Sequence, residues 1–191
     1  MAEKSDLSTA YHEAGHAVVG LVRDLDVYQL TFIRDESINA AGSVDVRNDY
    51  RSNALAHGEG AVLDDEERAY AYHWVEGRVL ELLAGAIAHQ MFTGEWHMEV
   101  AQDDMDKMSQ EWVPQSYGPC PTLDEDDVPM YEPLLLIQGT DEEIVAQCWD
   151  RWGDECREIL TANWAWVEAI AQAALDGDGN LTGEEMLALR C

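Results

Sequence analysis

His12, Glu13 and His16 are the residues in this chain whose types and spacing most directly suggest chemistry. They sit in the stretch TAYHEAGHAVVGL, residues 9–21. On a helix, side chains four apart share a face, one turn up. Two imidazoles can therefore reach one ion, and Glu13 beside them can take a proton from a water held there. This H-E-x-x-H spacing is the arrangement of zinc peptidases. The pentamer has two free positions, so a histidine pair on a half-buried helix that binds nothing remains an alternative at this point.

The elements that must position these residues follow from periodicity. Ala14, Ala17, Val18, Leu21 and Val22 form an apolar stripe, which makes the helix from about Asp6 to Asp24 a central one. Gly15 and Ala17 leave room for a close helix neighbour. Val27–Ile33 alternates and is rich in β-formers, so it reads as a strand, with 40–46 as its partner. Residues 48–60 are polar and loop-like. Asp64 with Glu67 resembles a capping box opening a helix from 65 to about 92, with an apolar face of Val75, Val79, Leu82, Leu83, Ala86 and Ile87. All five prolines fall between Pro114 and Pro133, which predicts a long loop over 113–139. Thr140 and Glu143 make a second capping box, opening a helical run to about Leu175 that breaks at Gly153 or Asn163. Trp149, Trp152, Trp164 and Trp166 are expected to pack helices together. Asp176 to Glu185 imitates part of an EF-hand loop, but its first position would be Ala174, which is no ligand. The expected fold is mainly α with a small β-hairpin or sheet beside the motif helix. It reads as one domain over 1–191, with a zinc-binding part (1–112), the proline-rich loop and a C-terminal helical part (140–191).

Composition bounds the partners. There are 39 acidic against 11 basic residues, a net charge of −28, and Lys4 and Lys107 are the only lysines. Such a surface repels phosphate backbones and anionic membranes, which argues against nucleic-acid binding. With no 18-residue apolar run, membrane insertion is not expected and a cytoplasmic setting is. Cys120, Cys148, Cys156 and Cys191 match no metal-knuckle spacing and are expected to be reduced thiols.

Several strings, in order along the chain, resemble the proteolytic domain of the FtsH family of ATP-dependent zinc proteases. TAYHEAGHAVV (9–19) is the most specific of them. LLAGAIAHQMFTGE (82–95) resembles the family's "LAGRAAEEIIFGE", with Ala86 in place of its arginine and His89 in place of its first glutamate. Residues 100–108 (VAQDDMDKM) resemble "GASNDLxxA", whose aspartate is the third zinc ligand, and aligning Ala101 with the alanine puts that aspartate at Asp104. Asp103 and His89 compete for the same role. Adjacent helical residues point about 100° apart, so only one of Asp103 and Asp104 can face an ion easily; for His89 an outer hydrogen-bonding role is expected. The C-terminal helices and NLTGEEM (180–186) complete the likeness. Arg34–Ser37 departs from the family's "PRG…LG" turn.

The resemblance implies a helical zincin-type peptidase with Zn2+ on His12, His16 and Asp104, and Glu13 as general base. It further implies unfolded or flexible polypeptides as substrates, held along the edge strand beside the zinc, and a ring, a hexamer as in the family. No G-x-x-x-x-G-K-[ST] phosphate loop occurs in this sequence, so an unfoldase acting in trans is the expected partner for folded substrates. The alternative is a non-catalytic, metal-stabilised binding or assembly module of a protease complex.

Overall fold

A computed structural model describes residues 4–33, 41–47, 65–112, 117–123, 129–133, 137 and 139–190. Helix α1 spans Lys4–Val22. It stops where Asp24 takes a left-handed conformation (φ 56°), which a short polar side chain tolerates. Leu25 N–H then donates to the Gly20 carbonyl at 2.9 Å and Asp24 N–H to that of Leu21 at 3.3 Å. This pair of bonds satisfies carbonyls that the helix end would otherwise leave unpaired.

The reversal delivers the chain into strand β1 (Val27–Ile33). Val27, Leu30 and Phe32 are buried, which is not a strict alternation. A bulge between Val27 and Gln29 resets the phase, because Tyr28 is an extra residue against β2 (Ala41–Val46). The structure thus pairs the two predicted strands, antiparallel from Val27↔Val46 to Ile33↔Ala41. The turn at Arg34–Ser37 and the loop at 48–60 lie outside the described residues, as does Asp64 of the first capping box.

Helix α2 (Asp65–Thr93) packs along α1. Small residues set the separation: a Cβ added at Gly15 would lie 2.5 Å from Ala88 Cβ and 2.7 Å from the Ala84 carbonyl oxygen. Helix α3 (Met98–Asp106) follows and runs into a π-helical turn, Lys107–Trp112.

The proline-rich stretch is not the uninterrupted loop its composition predicts. Strands β3 (Tyr117–Leu123) and β4 (Pro129–Pro133) pair antiparallel there. Proline lacks an N–H, but in a two-stranded ribbon each strand has an unpaired edge where that loss is harmless. The register breaks between Tyr117 and Pro121, the stretch that holds Pro119.

The Thr140–Glu143 capping box is formed in full and starts α4 (Asp141–Ala162). The helical run breaks at Asn163 (φ −116°, ψ 19°), after which α5 spans Trp164–Asp176; Gly153 stays inside α4, buried. Asn180–Thr182 then forms β5, which pairs antiparallel with β1 and completes a sheet of order β2-β1-β5. A strand of three residues carries too little periodicity to be read from sequence. Thr182 caps α6 (Gly183–Ala188) through a second complete capping box with Glu185, so the EF-hand-like segment serves as a strand and a helix start.

The architecture is mainly helical with one small three-stranded antiparallel sheet and the β3–β4 ribbon. Among the described residues the larger of two clusters of buried side chains extends from Ala10 through Val18, Leu83 and Trp152 to Met186, joining both halves of the chain, and the smaller holds Ala86, Ala101 and Met105. The tryptophans pack helices: Trp152 is buried and donates Nε1–H to Glu76, Trp166 donates to the Met186 carbonyl, Trp164 stacks near Tyr11, and Trp149 meets Trp96 edge to face. Among the described residues, no helix is long and apolar enough to cross a membrane.

Candidate metal centre

α1 and α2 lie so close that His12 and His16 are pressed against the backbone of α2 at Gly85. A Cβ added at Gly85 would sit 2.6 Å from His12 Nε2 and nearer still to His16 Nε2. Any larger residue would drive its Cβ into both imidazole rings. Opposite, α3 presents Asp104. The helix and the π-helical turn that continues it bury Ala101, Asp104, Met105 and Met108, a face in which Asp104 is the one carboxylate. Asp103, one residue earlier, is exposed.

Three donor atoms therefore converge. His12 Nε2 is 3.0 Å from His16 Nε2 and 3.0 Å from Asp104 Oδ2, and His16 Nε2 is 3.1 Å from the same oxygen. Ligand atoms of a tetrahedral zinc at about 2.0–2.1 Å lie roughly 3.3–3.4 Å apart, so the triangle fits such an ion with a slight expansion. Two imidazoles and one carboxylate also form a donor set suited to zinc, with one position left for water in a catalytic site. Among the described residues this is the group able to hold a metal ion.

Hydrogen bonding sets the direction in which these donors point. His16 Nδ1 is 2.7 Å from the Glu81 carbonyl oxygen, which can only accept, so Nδ1 carries the proton and donates. In the neutral ring Nε2 is then a bare lone pair, aimed at another nitrogen and at a carboxylate oxygen. Lone pairs in that arrangement repel unless positive charge lies among them. His12 Nδ1 is buried with no partner among the described residues, so the polar contacts of that ring are made through Nε2.

The electrostatics agree. Burial opposes a charge on His16, but the Asp104 carboxylate, its hydrogen bond, Glu81 and Glu13 outweigh that and push the imidazole up to about 10. Burial likewise opposes ionisation of Asp104, but His16 and the hydrogen bonds from both imidazoles hold it well below the usual carboxylate range. The donor set is a trap for positive charge. Behind it, Glu81 is buried, with Oε1 3.6 Å from His16 Nδ1 and Oε2 2.9 Å from Arg78 Nη1.

Glu13 is outside the triangle. It is 6% exposed and lies under β2, where a Cβ added at Gly42 would come 2.6 Å from Glu13 Oε1 and into its Cγ. Burial pushes its carboxyl up, against the lowering influence of His12 and His16. His89 is buried but not part of the triangle; it packs edge to face on His97, ring centroids 5.3 Å apart, and burial lowers its affinity for a proton. Glu81, Gly85 and Gly42 escaped sequence reasoning. Only Gly85 left a signal, as an isolated glycine within an apolar helical pattern. Cys148 and Cys156 are buried free thiols on the inner face of α4, and Cys156 Sγ–H donates to the Leu80 carbonyl at 3.4 Å.

No protein-family model matches this chain, and no curated protein sequence is significantly similar to it.

Proposed function

We propose that the chain is a zinc metalloendopeptidase that hydrolyses peptide bonds in flexible or unfolded polypeptides. The observation that carries this is the convergence of His12 Nε2, His16 Nε2 and Asp104 Oδ2 to within about 3 Å of one another, with a carboxylate one residue from the first of them. His12, His16 and Asp104 hold the ion. The chemistry a bound zinc supplies is Lewis acidity, which brings the pKa of water towards neutrality and polarises a carbonyl. Glu13 accepts the proton of the attacking water and returns it to the leaving amine. Its confinement under β2 restricts its rotamers, and its burial makes the carboxylate more basic, both of which suit a general base. Among the described residues β2 is an edge strand of the sheet, so its outer side offers backbone groups to an extended chain by strand addition. The likeness of residues 9–19 to the FtsH motif helix supports the same reading and implies a substrate delivered as unfolded chain.

One observation favours the alternative of a non-catalytic, metal-stabilised module: His12, Glu13 and His16 are 6%, 6% and 4% exposed, a more enclosed site than a passing polypeptide requires. One experiment separates the two. Purified chain, assayed for zinc, is incubated with a disordered protein beside a Glu13→Gln variant. Zinc in both and cleavage by the wild type alone is expected. Zinc in both and cleavage by neither establishes the binding module, and absence of zinc after attempted reconstitution removes both readings.

A further inference from the structure

The Asp104 carboxylate divides its two oxygens between different partners. Oδ2 faces the imidazoles at 3.0 and 3.1 Å, whereas Oδ1 faces Lys107 Nζ at 3.6 Å. Lys107 is one of only two lysines in a chain of net charge −28, so a lysine here is not drawn from an abundant surface type. Its side chain is 51% exposed, against 10% for that of Asp104, so the pair reaches from the buried carboxylate to the surface.

Its placement is built in. Lys107 is the first residue of the π-helical turn, three residues after Asp104, and its backbone N–H bonds to the carbonyls of both Asp103 and Asp104. π-helical turns are rare and recur at functional sites.

We propose that Lys107 is a positioning residue for the metal centre, engaging Asp104 Oδ1 so that the carboxylate offers only Oδ2 to the ion. The inference rests on the metal-binding reading above. Carboxylates bind cations through one oxygen or through both. A hydrolytic zinc site needs three protein donor atoms and an open fourth position. An Asp104 that swung to bind through both oxygens would crowd that position. Lys107 competes for the second oxygen and keeps the coordination number low. With one partner exposed, the bias is a few-fold, enough to shift a balance between two binding modes without being needed for folding.

The test uses cobalt(II) in place of zinc, because four-coordinate cobalt absorbs visible light much more strongly than five- or six-coordinate cobalt. Wild type, Lys107→Met and Lys107→Arg are loaded with one equivalent, and zinc affinity is measured in parallel against a chelator. The wild type should give the strong four-coordinate spectrum. Lys107→Met should lose much of that intensity and bind zinc at least as tightly as the wild type, because the freed Oδ1 becomes a further donor and a repelling positive charge is gone. Lys107→Arg should restore the wild-type spectrum, and thermal stability should be the same in all three. A Lys107→Met spectrum superimposable on the wild type overturns the role of Lys107 while leaving the metal centre standing. A wild type that takes up neither cobalt nor zinc overturns the metal centre itself.

Discussion

Gly85→Ala subjects the proposed centre to a severe test with one methyl group. The added Cβ would lie 2.6 Å from His12 Nε2 and from His16 Cε1, and nearer still to His16 Nε2. Ordinary carbon contacts are about 3.5–4.0 Å, so the His16 ring must retreat by more than about 1 Å. His16 cannot swing freely, because its Nδ1–H bond to the Glu81 carbonyl and the packing of α1 on α2 hold it. Overpacking of this kind costs about 1–3 kcal/mol. Replacing glycine by alanine inside a helix returns about 1 kcal/mol, so the net loss of stability should be no more than about 2 kcal/mol. Folding should therefore survive while the donor triangle does not. Zinc affinity should fall by more than about 100-fold, beyond the 10–100-fold that outer-shell changes cause. The assay is chelator competition for zinc, with circular dichroism melting on the same samples. Gly153→Ala is the control, since its Cβ would meet Trp149 atoms no closer than 3.5 Å. A Gly85→Ala protein that binds one zinc within threefold of wild-type affinity would refute the placement of the ion between α1 and α2.

Asp104→Ala should abolish tight zinc binding, Asp103→Ala should be silent because that side chain is exposed, and His89→Ala should cost at most tenfold because its ring packs on His97 outside the triangle; the same competition assay ranks the three, and a filled site in Asp104→Ala refutes the ligand set. Gly42→Ala should keep zinc but lose roughly 10²–10⁴-fold in peptide hydrolysis, since its Cβ would displace the Glu13 carboxylate; undiminished turnover would mean that β2 does not confine the base. Burial pushes Cys148 up to about 12 and Cys156 upward as well, with the charges of Arg151 and Arg157 opposing weakly, so both stay protonated at pH 8 and should resist iodoacetamide until urea unfolds the chain. Their raised values also mean that the stability they contribute is present below the unfolded thiol pKa of about 8.5 and is lost as pH rises towards 12. Peptide mapping of alkylated protein and alkaline melting curves check the two halves of that statement.

What was legible in the sequence was what repeats or caps. α1, β1, β2 and α2 follow from periodicities sustained over several residues, and the start of α4 follows from Thr140 and Glu143, whose reciprocal bonds are purely local. Asp104 was within reach of the same reasoning, because Ala101, Met105 and Met108 define a buried face on which a carboxylate has to find a positive partner. The β3–β4 ribbon was not, since proline content argues against strands and only the unpaired edges of a two-stranded ribbon lift that objection. β5 was hidden by its length.

The parts of the centre that had no sequence signature share one physical cause. Glu81 fixes the tautomer of His16 through a backbone carbonyl, which every residue possesses; Gly85 and Gly42 act by lacking a side chain. None of these contributions is encoded in the residue's own chemistry; each arises from where another element happens to lie. The histidine pair states in one helix that a cation is wanted, but the conditions for holding it come from three other elements. α2 supplies the gap and the tautomer, α3 supplies the charge, and β2 closes over Glu13. Replacing His16 by glutamine would leave the helix and its stripe intact, yet remove the Nδ1–H donor and one ligand together. It should therefore disturb the metal site far more than the fold.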